Sequence, residues 1–314
     1  MNHNWKPREL NPDEIGTAAN AAALVEYLRG IDLAALLTAE KALVMRGFGV
    51  APGELDDVLD ALLPDRLAYV HGNSPRTKVG RNVYTSTEYP AALAISMHNE
   101  MSYASRRPTR LAFYCETAPG SGGATPVIDG ELWLESVGPE IREAFADGVR
   151  YQQNLHGGYG LGKSWQQTFE TQDRSAVETF LAESAATWEW RSDGGLRIEQ
   201  LRPAFVRHPV TGAEVWFNQA DQWHPAGLGD ETARALTQIM PPEDLPQSVA
   251  FADGSPIPDE YVTRIRDLGL EKAVDVDWQA GDLLLIDNVL VGHGRRPFDG
   301  PRRVLVAMSG TDEA

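Results

Sequence analysis

One cysteine, Cys115, stands among the 314 residues, so no internal disulfide can form. That excludes a disulfide-stapled scaffold and fits a reducing compartment. No stretch approaches the roughly 18 apolar residues that a membrane helix needs, and the N-terminal MNHNWKPREL lacks the apolar segment of a signal peptide. Positive charge is scarce as well: 28 Lys and Arg stand against 45 Asp and Glu, a formal net charge of −17 with no Lys/Arg run to offset it. Phosphate backbones and anionic lipid would be repelled. We therefore expect a cytoplasmic protein acting on a small molecule, with no nucleic-acid and no membrane partner. With 42% hydrophobic residues the chain can bury a sizeable core.

Helix signals dominate the N-terminal part, about residues 1–65. Asn11-Pro12-Asp13-Glu14 reads as a cap with Pro at N1, Gly30 and Asp32 divide the following Ala- and Leu-rich stretch, and residues 53–63 form a further short helix. LVMRGFGV (43–50) reads as a strand. Further on, AALAISMHNE, RLAFYCET, AEVWFNQ, DLLLIDNVLVG and RRVLVAMS are short β-type runs separated by Gly, Pro and Asp clusters. They lack the strict strand-helix alternation of a doubly wound sheet, so an α+β protein with an antiparallel β core is expected. Residues 163–191, within an insertion and lid region of about 150–200, read as mainly helical and polar, an insertion without a core of its own. A second lid candidate spans 69–89.

Two motifs compete for the chemistry. Gly157 to Ser164 (GGYGLGKS) matches a phosphate-binding loop literally, and Leu283 to Asp287 resembles its apolar strand ending in an acid. Such a loop must leave a buried parallel strand and open a helix, and the preceding GVRYQQNLH is too polar for that strand. A nucleotide hydrolase is thus the alternative reading. The other motif is His98-Asn99-Glu100. Seven histidines and 45 carboxylates predict about one His-x-[Asp/Glu] by chance, so the triplet needs a partner. In an extended segment residues i and i+2 share a face, so His98 and Glu100 can serve one ion. His293, where an apolar strand runs out into glycine, is the candidate third ligand. Two imidazoles and a carboxylate on one side of an ion leave about three positions open, which suits Fe(II) binding a cosubstrate and O₂. A non-catalytic metal-binding barrel would use the same ligands. His3 is terminal, His208 precedes a proline turn, and His71, His156 and His224 have no paired carboxylate at suitable spacing.

The ordered combination VYTSTEYPAALAISMHNEMSY, PTRLAFYCETAPGSGGATPVIDG and GDLLLIDNVLVGHGRRPFDGPRRVLVAM resembles the TauD/TfdA (taurine dioxygenase) family of Fe(II)- and 2-oxoglutarate-dependent oxygenases, most of all its branch near the syringomycin-pathway aspartyl hydroxylase. The resemblance runs from about residue 40 to 310. It implies a single oxygenase domain over 1–314: a double-stranded β-helix (jelly-roll) core with N-terminal helices and a largely helical insertion. It also implies that His98, Glu100 and His293 are the catalytic iron ligands, that Thr125 contacts 2-oxoglutarate and that Arg303 pairs with its distal carboxylate. From the residues themselves, only one of Arg302 and Arg303 can enter the barrel, and periodicity does not say which. The implied reaction consumes O₂ and 2-oxoglutarate to hydroxylate an unactivated C–H bond of a small amino-acid-like substrate, free or carrier-bound, in a biosynthetic pathway. Glu100 keeps the carboxylate that related halogenases lack. The arginine that grips a sulfonate in taurine dioxygenase would fall near Ala307, which argues against a sulfonate substrate.

Overall fold

A computed structural model describes residues 5–68, 76–87, 89–228 and 240–313, together with 235 and 238. Its centre is a pair of sheets. The larger has the strand order Arg8–Leu10, Ala42–Met45, Leu283–Asp287, Arg110–Thr117, Arg303–Ser309, Val83–Thr85, Lys78–Gly80. Facing it is a four-stranded sheet in the order Val274–Val276, Thr125–Asp129, Val291–Arg295, Ile95–His98. All pairings are antiparallel except that of Arg8–Leu10 with Ala42–Met45. This is the jelly-roll arrangement that the resemblance implied.

The strand LLLID is buried throughout because the larger sheet is covered on both faces. Leu283 and Leu285 pack outward against Leu24, Leu28, Leu55 and Leu59 of the N-terminal helices. Leu284 and Ile286 point inward to Val127 and Val291 of the facing sheet. Arg303–Ser309 obeys the same two-residue period: Val304, Val306 and Met308 face in, Leu305 and Ala307 face out. Three N-terminal helices begin at capping side chains, the first at Asn11 as expected. Asn11 accepts from the Glu14 N–H, Asn20 from that of Ala23, and Asp32 from that of Ala35.

Within the expected insertion the helices are Trp165–Phe169 and Arg174–Glu183. Beside them lies a further antiparallel sheet in which Val149–Leu155 stands between Leu196–Arg202 and Gln247–Phe251. Contrary to the expectation of an insertion without a core, Leu155, Trp165, Phe169, Val177, Leu181, Leu196 and Ile198 form a small buried cluster of their own. Helix and sheet each had an apolar stripe to cover, and they cover each other. Of the other lid candidate, residues 69–75 and 88 lie outside the described residues. Among the described residues no helix is long and apolar enough to cross a membrane.

Candidate metal centre

The facing strands Ile95–His98 and Val291–Arg295 bring His98 opposite His293 as Cα partners, with ring centroids 4.3 Å apart. Glycines flank His293 for a steric reason. A Cβ at 294 would lie 2.6 Å from the Ile95 carbonyl oxygen, and one at 292 would press on Ile128 and Trp133. Ligand atoms of His98, Glu100 and His293 all lie within 4.8 Å of one another, and all three residues are buried. His293 Nε2 is 4.0 Å from Glu100 Oε2.

Glu100 reaches this position differently from the way its spacing suggested. The strand ends at His98, and Glu100 enters a turn in which Met101 has a left-handed φ of 58°. Two buried asparagines hold that turn. Asn288 Oδ1 accepts from the Glu100 N–H at 2.8 Å, and its Nδ2 donates to the carbonyls of Glu100 at 3.1 Å and Pro108 at 2.7 Å. Asn99 Nδ2 donates to the Asn288 and Val291 carbonyls, and Gln219 Nε2 donates to that of Asn99. The Leu283–Asp287 strand end and the metal triplet are thus tied through side-chain amides that spacing alone could not reveal. His208 supports the same corner: its Nε2 lies 3.1 Å from Asp287 Oδ2 in a buried pair.

Burial pushes the His98 pKa below the ordinary imidazole value, with the Glu100 charge opposing. Burial pushes His293 well below it, and the charges of His98 and Arg76 add to the effect. Both rings are therefore neutral and offer lone pairs. His98 Nδ1 lies 3.0 Å from the Ser96 carbonyl oxygen and 3.0 Å from Gln222 Nε2; a proton on Nδ1, donated to that carbonyl, would leave Nε2 for an ion. His293 Nδ1 is buried without a hydrogen-bond partner among the described residues. Arg76, from the second lid candidate, adds a buried guanidinium whose Nη2 lies 2.5 Å from Glu100 Oε2. Two neutral imidazoles and one buried carboxylate form a donor set that fits Fe(II).

Beside the triad, His98, His293, Thr125 and Arg302 line a narrow cleft, and Arg303 does not enter it. The expectation for Arg303 is corrected here. Its side chain follows Leu305 and Ala307 to the outer face, is about half exposed (49%) and pairs with Glu116. The inward residue is Arg302, whose Nε donates to the Gly123 carbonyl at 2.9 Å and whose Nη2 lies 3.5 Å from Thr125 Oγ1. Burial, and then the charge of Arg295, bring the Arg302 pKa down to about 10. No carboxylate among the described residues lies within ion-pair distance of it. Thr125 Oγ1 also accepts from Trp278 Nε1 at 3.0 Å. With its lone pairs so engaged, the hydroxyl proton is left to donate to an anion. A buried cation and a free O–H donor fit the distal carboxylate of 2-oxoglutarate. Ala307 faces the helices, and the inward neighbour Val306 is equally apolar, so no cation stands at the position expected to grip a sulfonate.

The phosphate-loop look-alike does not have the required geometry. Val149–Leu155 is antiparallel to both neighbours, and the segment that follows opens only the five-residue helix Trp165–Phe169, capped by Ser164. His3 and His71 lie outside the described residues. A larger cavity of about 260 Å³ meets the cleft at Thr87, Ile95 and His98, which line both.

Comparison with known proteins agrees with this geometry. The profile of the Taurine catabolism dioxygenase TauD, TfdA family matches residues 16–308. The chain is 35% identical over 315 residues to the dapdiamide synthesis protein DdaC of Enterobacter agglomerans, covering 98% of this chain and 95% of that protein. It is 35% identical over 286 residues to a clavaminate synthase-like protein of Arabidopsis thaliana, covering 88% and 83%. Among solved structures, PvcB of Pseudomonas aeruginosa, described as an Fe, alpha-ketoglutarate dependent oxygenase from an isonitrile synthetic pathway, has the same fold, with a TM-score of 0.52 at 16% identity over 98% of this chain and 88% of that one. The chain thus belongs to the TauD/TfdA family and is a 2-oxoglutarate-dependent non-haem iron dioxygenase.

Proposed function

We propose that His98, Glu100 and His293 hold Fe(II), that Thr125 and Arg302 receive the distal carboxylate of 2-oxoglutarate, and that the protein hydroxylates an unactivated C–H bond of a small amino-acid-like substrate. The observation that carries this reading is the convergence of the three ligand atoms within 4.8 Å from two facing strands and a pinned turn. When bound, iron and 2-oxoglutarate supply the activation of O₂ and the oxidising power for the C–H bond. The chain's own residues do the rest. Asn288 and Asn99 hold the Glu100 turn, and the Ser96 carbonyl fixes the His98 tautomer. Phe113 packs its ring 5.1 Å from that of His293 and, with Val304, walls the cleft with apolar surface that excludes water.

Arg76 places a guanidinium against the carboxylate ligand and holds it by a charge-assisted hydrogen bond. The relative named for dapdiamide synthesis supports a place in a biosynthetic pathway, and the match over 16–308 supports one oxygenase domain over 1–314. The acidic chain, at −17, disfavours docking of an acidic carrier protein and so favours a free substrate over a carrier-bound one. Anaerobic addition of Fe(II) and 2-oxoglutarate tests the reading. A weak visible charge-transfer band is expected, absent in His98→Ala. A wild-type protein that binds iron and 2-oxoglutarate without this band would refute the shared site.

A further inference from the structure

The 260 Å³ cavity beside the iron ligands carries a charge pattern that neither the metal nor the cosubstrate uses. Apart from the metal ligands, Arg266 is the one formally charged side chain among the described residues that line it. Arg266 stands on the helix Asp259–Lys272 and is anchored at two of its three nitrogens. Nε donates to Asp267 Oδ1 at 2.9 Å, and Nη1 donates to the Ala226 carbonyl at 3.2 Å. Nη2 makes no hydrogen bond among the described residues. A guanidinium held in this way has little orientational freedom left to lose when it receives an anion.

Acceptors complement this donor. Gln219 Nε2 donates to the Asn99 carbonyl at 2.8 Å, and Gln222 Nε2 donates to the Ser96 carbonyl at 3.0 Å. Because a carbonyl oxygen can only accept, each amide must turn its nitrogen toward the protein. That leaves Oε1 of each, on residues lining the cavity, without a partner among the described residues. One cation and two amide oxygens match the carboxylate and ammonium of a zwitterion. An amino acid tethered to a carrier has a neutral thioester in place of that carboxylate and would offer Arg266 Nη2 no anion.

We propose that the cavity selects a free amino acid, with Arg266 receiving its carboxylate and the side-chain carbonyls of Gln219 and Gln222 receiving its ammonium group. The proposal rests on the cavity being the substrate site of the iron- and 2-oxoglutarate-dependent reaction. The test uses the whole chain loaded anaerobically with Fe(II) and 2-oxoglutarate. It is titrated with the proteinogenic L-amino acids and, in parallel, with their primary carboxamides, and followed by calorimetry and by perturbation of the visible band.

At least one free acid is expected to bind saturably, roughly ten- to a hundredfold more tightly than its carboxamide, the range for a charge-assisted hydrogen bond. In Arg266→Gln the acid and amide should bind within about twofold of each other, while the band recorded before titration is unchanged; Arg266→Lys should recover part of the preference. Equal binding of acid and amide by the wild type, survival of the preference in Arg266→Gln, or no binding by any acid while the band is present would overturn the proposal alone. Failure of the band to form in the wild type would overturn the reading beneath it as well.

Discussion

His98 and His293 are Cα partners across two antiparallel strands, with ring centroids 4.3 Å apart, although nearly two thirds of the chain separates them. Register, not proximity in sequence, builds the candidate metal site. Loss of an outer-sphere partner costs about 10–100-fold in metal affinity, and loss of a ligand should cost more. His98→Ala or His293→Ala should therefore lower iron from about one per chain to below about a tenth after gel filtration. Metal analysis checks this, with the far-UV spectrum expected to be unchanged.

Arg302 and Arg303, adjacent in the chain, face opposite sides of the barrel wall. Arg302→Gln should weaken 2-oxoglutarate binding by roughly ten- to a hundredfold, the loss of a charge-assisted hydrogen bond. Arg303→Gln removes a half-exposed pair with Glu116 and should leave that affinity within about twofold. Titration of the anaerobic iron-loaded protein separates the two.

Asn288 makes three hydrogen bonds to the backbone around Glu100. Asn288→Ala leaves buried backbone groups unpaired, an expected cost of about 1–3 kcal/mol in stability. Iron affinity should fall about 10–100-fold through misplacement of the Glu100 turn. Chemical denaturation and metal competition measure the two effects independently.

Lys163 lies in the segment after Val149–Leu155, a strand antiparallel to both neighbours, which a phosphate-binding loop cannot use. Lys163→Ala should retain the iron and 2-oxoglutarate band and full succinate formation. Neither protein should release phosphate from ATP above background, which a phosphate assay checks.

Burial pushes the Asp221 carboxyl from its ordinary 3.8 up to about 6. Between these values the folded protein holds a proton that the unfolded chain has released. Folding is therefore favoured at acid pH, and this contribution is lost as pH rises through about 6, a difference on the order of 3 kcal/mol at neutral pH. Asp221→Asn should raise Tm above pH 7, with the gain disappearing near pH 4. Thermal melts across that range decide it.

The local patterns in the chain carried the family, the N-terminal helices and the strands around His98 and His293. Caps such as Asn11 and Asp32 act over three residues, and Leu283 to Ile286 are all apolar because that strand is covered on both faces. The choice between Arg302 and Arg303 was illegible for that same reason: with both faces of the Arg303–Ser309 strand buried, inward Val304 and outward Leu305 are equally apolar. Asn288 and Arg266 gave no signal either, since an amide in a loop or a guanidinium on a helix looks the same whether it meets solvent or a functional site. Their roles depend on side chains reaching partners far along the chain. Such contacts exist only after two sheets have closed, so the chemistry of the ligands could be read from residue types, while the groups that hold and select around them came from the packing.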